Sequence, residues 1–141
     1  MYMKAKTRED KVEEFHKSMG LDIGADVRET LISLRRKLIA EEAREVDEAL
    51  NLMELHCVFG RKPDQEDWEN LLKELCDLQY VLSGTVVALK KLRNADFDVA
   101  FNRVHESNMS KLDDNGKPVK NEIGKVIKGP NYKPANMKGV I

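Results

Sequence analysis

Cysteine is almost missing from this sequence: two in 141 residues, Cys57 and Cys76, with neither C-x-x-C spacing nor a histidine cluster beside them. That excludes a disulfide scaffold and a zinc site, and both thiols read as buried and free. Long apolar runs are absent too. No stretch approaches the roughly 18 residues that a membrane span needs, so no membrane partner is expected. The opening segment MYMKAKTREDKVEEF lacks the apolar centre of a signal peptide, which makes a reducing cytoplasm the default expectation. Nor is there an excess of charge of either sign, since 24 Lys and Arg nearly cancel 25 Asp and Glu. A protein that binds nucleic-acid polymers would carry a basic surplus, so any attraction for phosphate has to come from a local site. Histidine is equally sparse. A di-iron bundle needs Glu-x-x-His on each of two helices, and only Glu13 and His16 offer that spacing. His16 therefore reads as a surface or core-edge residue.

What the sequence does have is helical periodicity. A first helix is predicted from Thr7, with Asp10 as a capping partner three residues on, apolar residues at Val12, Phe15 and Met19, and a stop at Gly20. A second is predicted from Asp26 with Glu29 as its reaching partner, running about thirty residues through Leu31, Leu34, Leu38, Val46, Leu50, Met53 and Val58 to Gly60. After a turn over 60–64, Asp64 caps a third helix from about Gln65 to Lys91. Its apolar residues, among them Trp68, Leu72, Leu75 and Leu82, cover more than half its circumference. So wide a stripe implies burial against two neighbours, such as bundle helices and a second subunit. A fourth helix follows Asp96. Short connections between long helices imply antiparallel neighbours, so the fold expected is an all-α, antiparallel bundle of about four helices that associates as an oligomer. It forms one domain over residues 1–141, with its core at about 7–112. From Asp113 the composition shifts to Lys, Asn, Gly and Pro, and 118–120 and 125–127 pair as a short hairpin or leave an irregular tail, either a mobile flap or packed on another subunit.

The chemistry lies in Glu41-Glu42-Ala43-Arg44-Glu45 and Glu74-Leu75-Cys76-Asp77. Residues three and four apart on a helix are surface neighbours, so Glu42 and Glu45 share a face, as do Glu74 and Asp77. Leu38, Ile39 and Val46 flank one set and Leu72, Leu75 and Leu78 the other. On antiparallel helices four or five carboxylates converge. Like charges at close range raise one another's pKa unless cations balance them. Oxygen donors without His or Cys select hard ions, Mg²⁺ with Mn²⁺ as a substitute. Such ions bind carboxylates on one side and phosphates on the other. The plainer reading of the same residues is a solvated acidic face, which would make the chain a non-catalytic helical interaction module.

Glu41-Glu42-x-x-Glu45 followed by Glu74-x-x-Asp77 resembles the EExxE…ExxD signature of the MazG-like all-α NTP pyrophosphohydrolase superfamily, which includes MazG, dimeric dUTPases and phosphoribosyl-ATP pyrophosphohydrolases. Glu14-Phe15-His16, the run from Asp77 to Tyr80, and Val104-His105-Glu106-Ser107-Asn108-Met109-Ser110-Lys111 extend the likeness over about residues 12–112. The resemblance implies hydrolysis of a nucleoside triphosphate between its α- and β-phosphates to a monophosphate and pyrophosphate, as nucleotide-pool house-cleaning or in a form restricted to dUTP or dCTP. It implies Mg²⁺ ligation by Glu42, Glu45, Glu74 and Asp77, with Glu41 either a further ligand or the group that orients and deprotonates the attacking water. It also implies a homodimer or a dimer of dimers. The family's Asn-x-x-Lys element falls on Asn108 and Lys111, as ribose or phosphate contacts or simply a helix terminus. By position, Tyr80 extends the metal face of the third helix and either meets the nucleoside or fills the core. Gly84 admits a base or a neighbouring helix, Phe15 and His16 are candidate walls of a base pocket, and Arg35, seven residues before Glu42, either meets a phosphate or is an ordinary surface arginine.

Overall fold

A computed structural model describes residues 2–141, and all the regular elements among them are helices. They are α1 (Arg8–Met19), α2 (Glu29–Val58), α3 (Gln65–Ala88), α4 (Lys90–Arg93) and α5 (Phe97–Met109). The all-helical expectation is met. None of the helices is long and apolar enough to cross a membrane. The chain divides into two compact units, Met1–Arg93 and Asn94–Ile141.

In the first unit the caps form where the sequence places them. The Thr7 hydroxyl accepts from the Asp10 amide at 3.1 Å while the Asp10 carboxylate accepts from the Thr7 amide at 2.8 Å. Gly20 closes α1 in the left-handed conformation at φ 67°, where a side chain would be strained. Asp64 and Asp67 make the same reciprocal pair at the start of α3, each at 2.9 Å. Helices α2 and α3 run antiparallel across the loop 59–64. Ala49 and Met53 of α2 bury themselves against Leu71 of α3, and His56 meets Asp67 at 3.2 Å beside the loop. Helix α1 lies against α3, where the Ser83 hydroxyl donates to Glu9 at 3.1 Å.

Two boundaries differ from expectation. Helix α2 starts at Glu29 behind Arg28, which gives no side-chain cap, and not at Asp26. Helix α3 stops at Ala88, short of the expected Lys91, and Leu89 is extended before α4. Ala25 bridges Leu89 in parallel: its amide donates to Ala88 and its carbonyl accepts from Lys90, at 2.7 and 2.9 Å. The Ala88 carbonyl and the Lys90 amide are thus unavailable to prolong α3. Both cysteines, expected to be buried, are exposed and free. Trp68, Leu72, Leu75 and Leu82 are exposed as well, so the wide apolar stripe of α3 is only partly covered within this unit.

The second unit holds α5, capped by Asp96, whose carboxylate accepts from the Val99 amide at 3.1 Å. The expected hairpin is reduced to one antiparallel bridge, Lys120 to Val126. The tail packs on its own helix: Ser107 donates to the Lys133 carbonyl at 2.7 Å, and Arg103 to those of Asn136 and Lys138 at 2.9 and 2.7 Å.

Candidate active site

Midway along the α2–α3 pair the two carboxylate sets face each other. The antiparallel register fixed by Met53 on Leu71 and His56 on Asp67 carries Glu42 and Glu45 opposite Glu74 and Asp77. One carboxylate oxygen from each of Glu42, Glu45 and Glu74 lies within 4.8 Å of the other two, and all three side chains are half-buried. Burial, then the neighbouring Glu45, then Asp77 and Glu41 push the Glu42 carboxyl above the usual carboxylate range.

Among the described residues, Glu42 Oε2 and Glu74 Oε2 are buried with no hydrogen-bond partner. A buried acceptor left unsatisfied costs about 1–3 kcal/mol, more when it is charged, and no side chain on either helix removes that cost. The sequence reading also missed Lys73, whose ammonium lies 2.8 Å from Asp77 and 3.3 Å from Glu74. Those contacts hold it well above the usual lysine range. The signal was present, a lysine four residues before an aspartate on one helix face, but the weight given to the acids hid it. One ammonium, largely in solvent, does not neutralise four carboxylates.

The other expected residues divide. Glu41 is exposed on α2 beside the cluster. Arg35 is not an ordinary surface arginine: it is 6% exposed, and donates from Nε to Thr85 Oγ1 at 3.1 Å and from Nη2 to the Val81 carbonyl at 2.8 Å. Tyr80 is partly exposed and meets the Phe15 ring edge-on, with centroids 5.5 Å apart. His16, expected at the surface or core edge, is 3% exposed, with Nδ1 2.7 Å from the Asp22 carbonyl. Gly84 does admit close approach, and what approaches is the Arg35 and His16 side chains. Asn108, in the last turn of α5, and Lys111, just beyond it, belong to the second unit.

Beside the carboxylates, α1, α2 and α3 enclose a cleft of about 340 Å³ lined by Phe15, His16, Leu34, Arg35, Leu38 and Tyr80 with others. Leu38 precedes Glu42 by one helical turn and Tyr80 follows Asp77 by one, so cleft and carboxylates are consecutive stretches of the same two helices. The arrangement offers an acidic patch suited to hard cations, followed by a mostly apolar slot suited to a flat ring.

A family model described as phosphoribosyl-ATP pyrophosphohydrolase matches residues 12–108, about two thirds of the chain. The match spans both carboxylate sets and the cleft. Comparison with curated proteins finds no match.

Proposed function

The chain belongs to the phosphoribosyl-ATP pyrophosphohydrolase family, within the MazG-like all-α superfamily, and on that premise we propose that this pyrophosphohydrolase acts on nucleoside triphosphates, with Mg²⁺, to release a nucleoside monophosphate and pyrophosphate. The observation that carries this reading is the pair of buried, unpartnered carboxylate oxygens, one on each facing helix. An all-oxygen set with uncompensated charge fits a hard divalent ion. Glu42, Glu45, Glu74 and Asp77 would hold it. When bound, Mg²⁺ supplies charge neutralisation, a grip on phosphate oxygens and a more acidic water.

The chain's own residues do the rest. Water attacks the α-phosphorus as the bond to the α–β bridging oxygen breaks, and pyrophosphate leaves with that oxygen. Glu41, exposed beside the ligands, orients the water and takes its proton. Lys73 keeps Asp77 and Glu74 in place and limits repulsion between the helices before the cation arrives. The cleft between α1, α2 and α3 receives the nucleoside, with Phe15 and Tyr80 as its aromatic wall. The exposed apolar face of α3 suits a homodimer or a dimer of dimers.

The test is a panel of ribo- and deoxyribonucleoside triphosphates together with phosphoribosyl-ATP, incubated with Mg²⁺ and analysed by product identification. Monophosphate and pyrophosphate from at least one triphosphate is the expected result. Turnover of phosphoribosyl-ATP alone, or of nothing, overturns the triphosphate assignment. Two stretches lie outside the family match, residues 1–11 and the longer 109–141.

A further inference from the structure

Arg35 is a buried cation without an anion. Among the described residues no carboxylate forms an ion pair with it, and the one carboxylate that lines its cleft, Asp22, is already held by Arg28 at 2.7 and 3.2 Å. Burial alone draws the guanidinium below the usual arginine range, but an arginine does not lose its proton in a protein. Of its five N–H donors, two are used, on Thr85 and Val81. The remaining three belong to a side chain that lines the cleft and is more than nine-tenths buried.

His16 supplies the opposite chemistry. A backbone carbonyl only accepts, so the 2.7 Å contact to Asp22 O requires the proton on Nδ1. In the neutral form of the ring the lone pair then lies on Nε2. A methyl group built on Gly84 would lie 2.5 Å from Arg35 Nη2 and 3.2 Å from His16 Nε2. The charged donor and the neutral acceptor thus rest side by side over one glycine, in a slot otherwise walled by Phe15, Leu34, Leu38 and Tyr80.

We propose that this donor–acceptor pair reads the pairing edge of a nucleobase and selects lactam bases, those with a carbonyl next to a ring N–H, over the amidine bases cytosine and adenine. Arg35 donates to the carbonyl oxygen and His16 Nε2 accepts from the ring N–H. In the same orientation an amidine edge sets an amino group against the guanidinium, donor against donor, and a ring nitrogen lone pair against the His16 lone pair. A phosphate is the wrong occupant for Arg35, because walls this apolar would strip a dianion of water while offering one cation in return. Uracil, thymine, guanine and hypoxanthine satisfy the pair with the exocyclic oxygen at Arg35, and cytosine and adenine only with the ring turned over, which a triphosphate tethered at the carboxylates opposes. The proposal rests on the reading of the site as a nucleotide hydrolase and narrows its substrate class.

Calorimetric titration of the intact protein with deoxynucleoside monophosphates in Mg²⁺ tests it without needing turnover. dUMP, dTMP and dGMP are expected to bind at least about tenfold more tightly than dCMP and dAMP, the scale of one hydrogen bond to a charged group. Gly84→Ala, which crowds both nitrogens, should bring the ratio close to one while Mn²⁺ binding, measured separately, persists. Arg35→Lys, which keeps the charge and loses the fork, should retain part of it. Weakening of all five nucleotides alike in these variants would mean a structural role and overturn the proposal. So would equal binding of dCMP and dUMP by the wild type, a loss of ribose 5-phosphate affinity in Arg35→Lys as large as that of dUMP, or no binding of any nucleotide. Base preference without pyrophosphate release from the triphosphates would instead count against the hydrolase reading and leave this one standing.

Discussion

Two stretches of the α2–α3 pair, one beside the loop and one midway along, use acidic residues in opposite ways. Beside the loop, Asp64 and Asp67 satisfy each other's backbone amides, and Asp67 also holds His56 across the helices. Ala49, Met53 and Leu71 close over the gap. Midway along, Glu42, Glu45, Glu74 and Asp77 crowd together, and two of their oxygens meet nothing. The stretch beside the loop pairs its acids and leaves one buried nitrogen, His56 Nδ1, without a partner; the other leaves two carboxylate oxygens without a donor among the described residues, where a hard cation would fit. Positions where a protein tolerates unmet polar groups are where function is to be sought.

Substitutions in the two stretches should separate activity from stability. The largest effect is predicted for Glu45→Gln and Asp77→Asn: pyrophosphate release should fall by at least about a hundredfold, while circular dichroism shows helices intact. Full activity in both would remove the site assignment. Met53→Ala should do the reverse, lowering stability by about 2–5 kcal/mol in denaturant titration and leaving turnover per folded molecule unchanged. Asp64→Ala breaks the reciprocal cap of α3 and should cost about 1 kcal/mol, read in the same titration, again without loss of activity.

The smallest effect sharpens the contrast most. The folded state raises the Glu42 carboxyl, so its stabilising contribution is complete below the ordinary glutamate value and is lost as pH rises through the raised one. At neutral pH and without divalent cation, Glu42 should therefore work against folding. Glu42→Gln is predicted to raise the metal-free melting temperature at pH 7 by roughly 1–4 °C, to lose that advantage as pH falls toward 4, and to abolish stabilisation by Mg²⁺. A variant less stable than wild type at pH 7 would show that the carboxylate is adequately solvated.

Much of this was legible in the sequence, and the parts that were not have a common cause. The reciprocal caps at Thr7 and Asp64 and the spacing of the four acids depend on residues within one helical turn, so local pattern finds them. The end of α3 depends on Ala25 meeting Leu89, which no local pattern contains. The burial of Arg35 and His16 has the same origin. Each looks like a solvent-facing residue in its own helix and is covered only because α1 lies across α3 opposite Gly84. Cys57 and Cys76 were misjudged from composition, since a free thiol is commonly buried and these two are not.

The Ala25–Leu89 bridge also bears on the order of assembly. Contacts between α2 and α3 close a short loop, whereas this bridge joins residues separated by about sixty positions and pays a larger loss of chain entropy when it forms. It should form after the helical pair and open before it. Asp22, Leu21 and Ala88, which line the cleft, sit on either side of it, so the slot would be the last part of this unit to take shape and the first to loosen. Native-state hydrogen exchange gives the measure: the amides of Gly24, Ala25 and Lys90 should exchange through a smaller opening than those of Met53 and Leu71, and protection of all five at one common free energy would show that latch and helical pair unfold as a single body.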